Sequence, residues 1–328
     1  MPNVRIVGMG VYLPERNVLS VDLDQQMGLP HGSIEKKSGL VSRHFAQAHE
    51  TTSFMGSKAA LEAIKNAHIA LSDIDVIIGA CGAGEQLIPS TATLIQKQLG
   101  LGTSGIPCFD INSTCLSFVT ALDTLSYSIA GGRFKRALIV SSEMPSVGLN
   151  WKDMETCSIF GDGAAACVLE QSDGSSRILG SEMETCSIGS TFCRIEAGGT
   201  RIPPAQPYDH QSYGLFHMDG KKVFRLASRM IEKTNEAVFK KAGVTLEDID
   251  WVIPHQASLL AMHHVKKRLN IPEEKFVDIY ATHGNQMAAS IPTALYSLIQ
   301  TKKLKRGQLV FLLGTGAGLS SAGLILEY

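Results

Sequence analysis

A chain of 328 residues with 44% hydrophobic and 19% charged residues buries a large core, and its length leaves room for two or three domains. Lys and Arg total 30 against 31 for Asp and Glu, so no global field draws the surface to nucleic acid or an anionic membrane, and any basic docking site must be local. No apolar run reaches the ~18 residues of a membrane helix, and Met1 to Leu13 lacks the basic and apolar regions of an export signal, which makes the cytoplasm the expected location.

In chain order, Met1 to Leu13 carries strand-like apolar residues, and the spacing then predicts a helix over Ser53 to His68 and a strand at Val76-Ile77-Ile78. Helices follow at Thr91 to Leu99 and Leu116 to Ala130, then a strand at Ala137-Leu138-Ile139-Val140. Turn formers collect over Leu169 to Ser176, as a linker would. Residues 197–220, with Pro203, Pro204 and Pro207, form a long irregular stretch of the kind that serves as a functional loop or cover. Beyond it come a helix over Gly220 to Ala242, a strand at Trp251-Val252-Ile253, a helix over Ser258 to Leu269 and a strand at Leu309 to Leu313. Short β runs alternating with helices define an α/β protein.

The chain also repeats itself. LSDIDVIIGA at 71–80 recurs as LEDIDWVIPH at 246–255, an offset of 246 − 71 = 175, and Phe109-Asp110-Ile111 is matched by Val277-Asp278-Ile279. Two related halves, 1–172 and 173–328, are expected, each a sheet with helices on its faces.

Seven cysteines at 81, 108, 115, 157, 167, 186 and 193, with no C-x-x-C pair, argue against zinc ribbons and redox dithiols, so neither a metal nor another cofactor is expected. Cys115 follows polar Asn112-Ser113-Thr114 where a strand passes into a helix. A cysteine there is either a buried apolar filler or a nucleophile whose thiolate the helix dipole favours. His255 ends a strand in Pro254-His255-Gln256-Ala257, the end of an α/β strand at which catalytic groups gather, although a structural histidine fits as well. Asn285 lies in Gly284-Asn285, a turn signal by itself, at the entry to the helix that corresponds to the Cys115 helix. A pseudo-twofold relation between the halves would bring Cys115 and Asn285 towards one pocket from the same structural point.

Taken together, these three segments resemble the Cys-His-Asn set of the ketoacyl-ACP synthase III family, and the match extends over nearly the whole chain. Gly39 to His44, Pro89-Ser90-Thr91-Ala92, Phe160 to Ala166, Pro254 to Ala257 and the loop Gly314-Thr315-Gly316-Ala317-Gly318 follow that family's order. The resemblance implies a thiolase fold, a duplicated αβαβα arrangement of five layers. It also implies that an acyl-CoA acylates Cys115, after which malonyl-ACP or malonyl-CoA decarboxylates and condenses to a β-ketoacyl thioester. His255 and Asn285 would donate hydrogen bonds to the developing enolate. The Cys115 amide, with Thr315 or Gly316, would hold the tetrahedral oxyanion. A homodimer is implied too, with Ile88 lining the partner's acyl pocket, and an acyl carrier protein as a partner. Lys37, Arg43, Lys266 and Lys267 are the candidates for phosphate contacts of CoA or the carrier.

The last fifty residues are similar to olefin-pathway thiolases, which join two acyl-CoAs without decarboxylation. Those place a glutamate before the Pro-Ser-Thr-Ala segment; this chain has Ile88, which takes no proton, so decarboxylative condensation is the expected chemistry. Degradative and biosynthetic thiolases need a second cysteine in the C-terminal glycine loop, and this loop has none. A Cys-His acyltransferase or hydrolase that forms no carbon–carbon bond is the alternative from another class. Two departures bear on the substrate: Ser33 stands where the family stacks CoA on a tryptophan, and Leu260 replaces an arginine that assists carrier docking. The acyl chain length and the pathway are not encoded in any motif.

Overall fold

Val76-Ile77-Ile78 and Ala137-Leu138-Ile139-Val140 are apolar at every position because both faces of their sheet are covered, and all seven side chains are fully buried. In the computed structural model, which describes residues 1–328, they lie in strands β2 (Val76–Gly79) and β4 (Arg136–Glu143). With β1 (Val4–Tyr12), β3 (Cys108–Asp110) and β5 (Gly163–Gln171) they form a sheet ordered β1-β5-β4-β2-β3. A second sheet contains β6 (Arg177–Thr185), β7 (Trp251–Pro254), β8 (Leu309–Gly316) and β9 (Ser320–Glu327) in the order β7-β8-β9-β6. The two sheets follow one plan. A parallel pair, β2 with β4 or β7 with β8, is continued by two antiparallel strands, and Val76 opposite Ala137 has its counterpart in Trp251 opposite Val310.

Five layers result. Helices α1 (Thr52–Ala67) and α2 (Thr91–Gln98) cover the outer face of the first sheet, and α4 (Gly220–Ala242) covers that of the second. Between the sheets lie α3 (Ser117–Ala130) and α6 (Ser290–Gln300), whose Phe118, Leu122, Leu125, Ile291 and Leu295 share one buried cluster with residues of both sheets. Helix α5 (Leu259–Arg268) packs at the outer edge of the second sheet through Met262 and Val265. Helices α1, α2, α4 and α5 each have a capped start: Thr51 Oγ1, Ser90 Oγ, Asp219 Oδ1 and Ser258 Oγ accept from Phe54, Thr93, Lys222 and Ala261 amides. Gly8 and Gly10 admit α1 against β1, since a Cβ on either would stand 2.2 Å from the carbonyl oxygen of Ala63 or Ala59. No helix is long and apolar enough to cross a membrane.

The helices and strands anticipated from periodicity are present; Gly220–Ala242 has the bounds expected, and the largest differences are at β4 and β8, which run on to Glu143 and Gly316 beyond the expected Val140 and Leu313. The parallel between Phe109-Asp110-Ile111 and Val277-Asp278-Ile279 does not extend to a fifth strand in the second sheet; only an isolated bridge joins Val252 and Phe276. Pro254, at the position of Gly79, has no N–H with which to continue the ladder, and Gln256 takes up the groups left over. Its side-chain amide donates to the Pro254 and Val277 carbonyls at 2.9 and 3.1 Å and accepts from the Ile279 amide at 3.0 Å, which occupies backbone groups a ladder would use.

Candidate active site

Cys115 stands just ahead of α3, after Thr114, whose φ of 54° lies in the left-handed region. That costly conformation is held by its neighbours. Asn112 Oδ1 accepts from the Thr114 amide at 2.9 Å, and the Ser117 hydroxyl donates to the Thr114 carbonyl at 2.7 Å. The same turn recurs before α6. Met287 has φ 48°, Asn285 Oδ1 accepts from its amide at 2.8 Å, and the Ser290 hydroxyl donates to its carbonyl at 2.9 Å.

These matches give 285 − 112 = 173 and 290 − 117 = 173, so Asn285 corresponds to Asn112, and Cys115 corresponds to Ala288. The expectation that Cys115 and Asn285 occupy the same structural point is therefore corrected by three residues. They approach one another from equivalent turns, not from equivalent positions.

The glycine loop of the second half brings the groups together. A Cβ on Gly314 would stand 2.7 Å from His255 Cβ and 3.3 Å from Leu116 Cδ2, and one on Gly316 would stand 2.5 Å from Thr114 Oγ1. Only glycine lets the His255 strand end and the Cys115 turn close on this loop. Thr114 Oγ1 also donates to the Ala317 carbonyl at 3.3 Å. Asn285 donates from Nδ2 to the Ala257 carbonyl at 3.2 Å, and its Oδ1 is taken by Met287, so its amide group is oriented with the NH2 towards the His255 segment. His255 and Asn285 are both buried.

Burial pushes the Cys115 thiol up to about 12; the carboxyl of Glu143 and the thiol of Cys193 add to the rise, and the amides of Cys115 and Ala317 oppose it without prevailing. Desolvation thus opposes the resting thiolate that the helix dipole would favour. Burial likewise pushes His255 down to about 4, so the resting pair is a thiol and a neutral imidazole. His255 Nδ1 lies 2.7 Å from Ser290 Oγ. No group of three or more His, Cys, Asp or Glu side chains is arranged to hold a metal ion.

Glu143 went unnoticed in the sequence, where its signal is a lone acid closing the apolar and small-residue run Ala137 to Ser142. Its carboxyl is fully buried, accepts from the Gly82 and Ala83 amides at 2.5 and 3.3 Å and from the Ala288 amide, and is pushed up to about 8 by burial. It thus ties the loop after β2 to the Asn285 turn beside the nucleophile.

The oxyanion candidates Thr315 and Gly316 lie within the β8–β9 ladder, opposite Ser321 and Ser320. The loop amide that reaches the Cys115 sulfur is that of Ala317, the first residue beyond the ladder. Among the phosphate candidates, Arg43 is corrected: its side chain is fully buried and donates to the Ser158 carbonyl and Ser20 Oγ at 2.9 and 2.6 Å. It knits the Gly39–His44 segment into the fold and faces no solvent phosphate. Lys266 is engaged by Glu273 and the Phe276 ring, which leaves Lys37 and Lys267 as the exposed cations of the set. Ser33 turns its hydroxyl to the Pro30 carbonyl, and Leu260 is 75% exposed. Ile88 is 83% exposed at the tip of the loop between β2 and α2.

Two duplicated α/β halves closing on a cysteine, a histidine and an asparagine define the class as a thiolase-fold condensing enzyme. Comparison with known proteins agrees with that class. The 3-oxoacyl-[acyl-carrier-protein] synthase III model matches residues 109–187, and the model of that family's C-terminal domain matches residues 239–328. The chain is similar to beta-ketoacyl-[acyl-carrier-protein] synthase III of Neisseria gonorrhoeae, 36% identical over 334 residues and covering 100% of both chains. It is also 35% identical to that of Aquifex aeolicus, with 99% of each covered. The crystal structure of the Aquifex aeolicus VF5 synthase superposes with a TM-score of 0.90 at 34% identity, over 99% of this chain and 100% of that one. A variant of OleA from Xanthomonas campestris superposes at 0.85 with 22% identity, over 99% of this chain and 98% of that one, which shows a shared fold. The chain belongs to the 3-oxoacyl-[acyl-carrier-protein] synthase III family, and it is a condensing acyltransferase.

Proposed function

We propose that this enzyme transfers an acyl group from acyl-CoA to Cys115 and condenses it with the decarboxylated malonyl unit of malonyl-ACP or malonyl-CoA, giving a β-ketoacyl thioester. The observation that carries this reading is the closure of the Gly314–Gly318 loop on both the His255 strand end and the Cys115 turn, which no buried structural cysteine requires. With the thiol and imidazole both neutral at rest, His255 takes the Cys115 proton as the sulfur attacks the thioester carbon. The amides of Cys115 and Ala317 are the donors for the oxyanion, replacing Thr315 and Gly316 in that role. The Asn285 NH2 and His255 then stabilise the enolate left when carbon dioxide departs from the malonyl unit.

The same reading makes the two halves, 1–172 and 173–328, the units of an ancestral duplication. It makes the protein a homodimer as well, in which Ile88, with Leu87 exposed beside it, covers the partner's acyl pocket. Lys37 and Lys267 are the cations offered to CoA or the carrier protein. An enzyme that works on such carriers would reside in the cytoplasm.

The test is a panel of acyl-CoAs with malonyl-ACP, following carbon dioxide and the product by mass. Equimolar carbon dioxide and β-ketoacyl thioester are expected. Hydrolysis of acyl-CoA with neither product would contradict the proposal.

A further inference from the structure

Glu143 closes strand β4 with no exposed surface, and every partner of its carboxyl is a backbone N–H. The Gly82 amide lies 2.5 Å from Oε1, the Ala83 amide 3.3 Å from Oε2, and the Ala288 amide is the third donor. A backbone N–H only donates, so the direction of all three bonds is fixed whatever charge the carboxyl bears. Gly82 in turn packs between the two reactive turns, where a Cβ would stand 2.8 Å from Met287 Cε and 3.2 Å from the Thr114 carbonyl carbon. Ala288 follows Met287, whose amide donates to Asn285 Oδ1. One buried carboxyl therefore reaches the backbone that orients Asn285 directly and the backbone that carries Cys115 through Gly82.

The repeat shows that the fold does not need this acid to close the junction. Val76 opposite Ala137 matches Trp251 opposite Val310, a strand offset of 310 − 137 = 173, and 143 + 173 = 316, so Gly316 closes β8 where Glu143 closes β4. Each strand end meets the turn of the other half, Gly316 against Thr114 and Glu143 against Ala288. The second sheet seats its turn with nothing but the space a glycine leaves. The first sheet buries a carboxyl there, which is costly unless its hydrogen bonds are made, and here they are made to the loops that frame the site.

We propose that Glu143 is a positioning residue for the condensation half-reaction, holding the Asn285 turn at a fixed place relative to Cys115 so that the Asn285 NH2 meets the enolate oxygen. The inference rests on the roles proposed above for Cys115 and Asn285. Acyl loading makes no use of Asn285 and draws little on this clamp. Carbon–carbon bond formation needs both turns at once, and a misplacement of about 1 Å in such a site costs on the order of 100-fold in rate.

Glu143→Gln tests this, because glutamine keeps the shape but offers lone pairs on one oxygen only and turns an NH2 towards a backbone N–H. Release of carbon dioxide from malonyl-ACP by enzyme acylated beforehand is expected to slow about 10- to 100-fold, while acyl loading of Cys115 stays within about fivefold of the parent. In an Asn285→Ala background the same substitution is expected to slow condensation by less than about threefold, because the donor it positions is gone. A merely structural carboxyl would weaken loading and condensation alike and would cost the same factor with or without Asn285. Either result would overturn the assignment, as would no slowing of condensation. If Glu143→Gln does not fold, Glu143→Asp, with both oxygens on a shorter stem, enters the same cycle with the same expectations. If Cys115→Ala still loads, or Asn285→Ala condenses at the parent rate, the underlying reading fails instead, and the two failures are separable.

Discussion

The turn entering α3 and the turn entering α6 share a backbone and differ in chemistry. Thr114 and Met287 take the same left-handed conformation, and Asn112 and Asn285 cap them through the same oxygen. Yet one turn carries a thiol at its fourth residue and the other carries Ala288. Asn112 spends its NH2 on the Gly82 carbonyl, whereas Asn285 turns its own to the segment beside His255. The repeated turn explains why Cys115 and Asn285 approach one another between the two sheets. The two turns differ in which position bears a functional group: the first half keeps Asn112 as scaffold, and the second has Ala288 in place of the thiol.

The largest effect that would break this comparison is a paired substitution. Asn285→Ala is expected to lower the condensation rate about 10²- to 10³-fold, as for loss of a donor at a developing oxyanion. Asn112→Ala is expected to cost about 1 kcal/mol of stability through its cap, with kcat within about fivefold of the parent. Steady-state kinetics and urea unfolding measure both. Equal losses of rate would mean that Asn285 serves only its turn.

A smaller effect concerns the buried imidazole. The folded chain resists charging His255, held near 4, while the unfolded chain binds that proton near 6.5. This contribution to stability is whole above 6.5 and is lost as pH falls towards about 4. Relative to His255→Asn, the parent is expected to lose about 1–2 kcal/mol between pH of about 7.5 and 5, measured by urea unfolding. The acid limb of acyl loading should likewise lie well below 6.5. A limb at 6.5 would show a ring exposed to water.

Much of this was legible from periodicity and repetition, because a strand covered on both faces is apolar throughout and the copy LEDIDWVIPH declares itself. The unread parts depended on who faces whom. Arg43 has the composition of a phosphate ligand, and only tertiary packing shows that Ser158 and Ser20 consume it. Ser290 and Glu143 look like an ordinary helix start and strand end until His255 and the Gly82 amide are placed against them. The missing fifth strand turned on Pro254, which has no N–H for the ladder, and on the Gln256 side chain that takes up the groups left over, neither of which a pattern of hydrophobicity records. The thiol's resting protonation depended on burial, which a dipole argument from sequence leaves out.

The central claim is that Cys115 is the acylated residue, and intact-protein mass spectrometry after incubation with acyl-CoA tests it most directly. One acyl mass per chain is expected, mapping to the peptide containing Cys115 and absent from Cys115→Ala. Equal acylation of the Cys115→Ala protein would contradict the account.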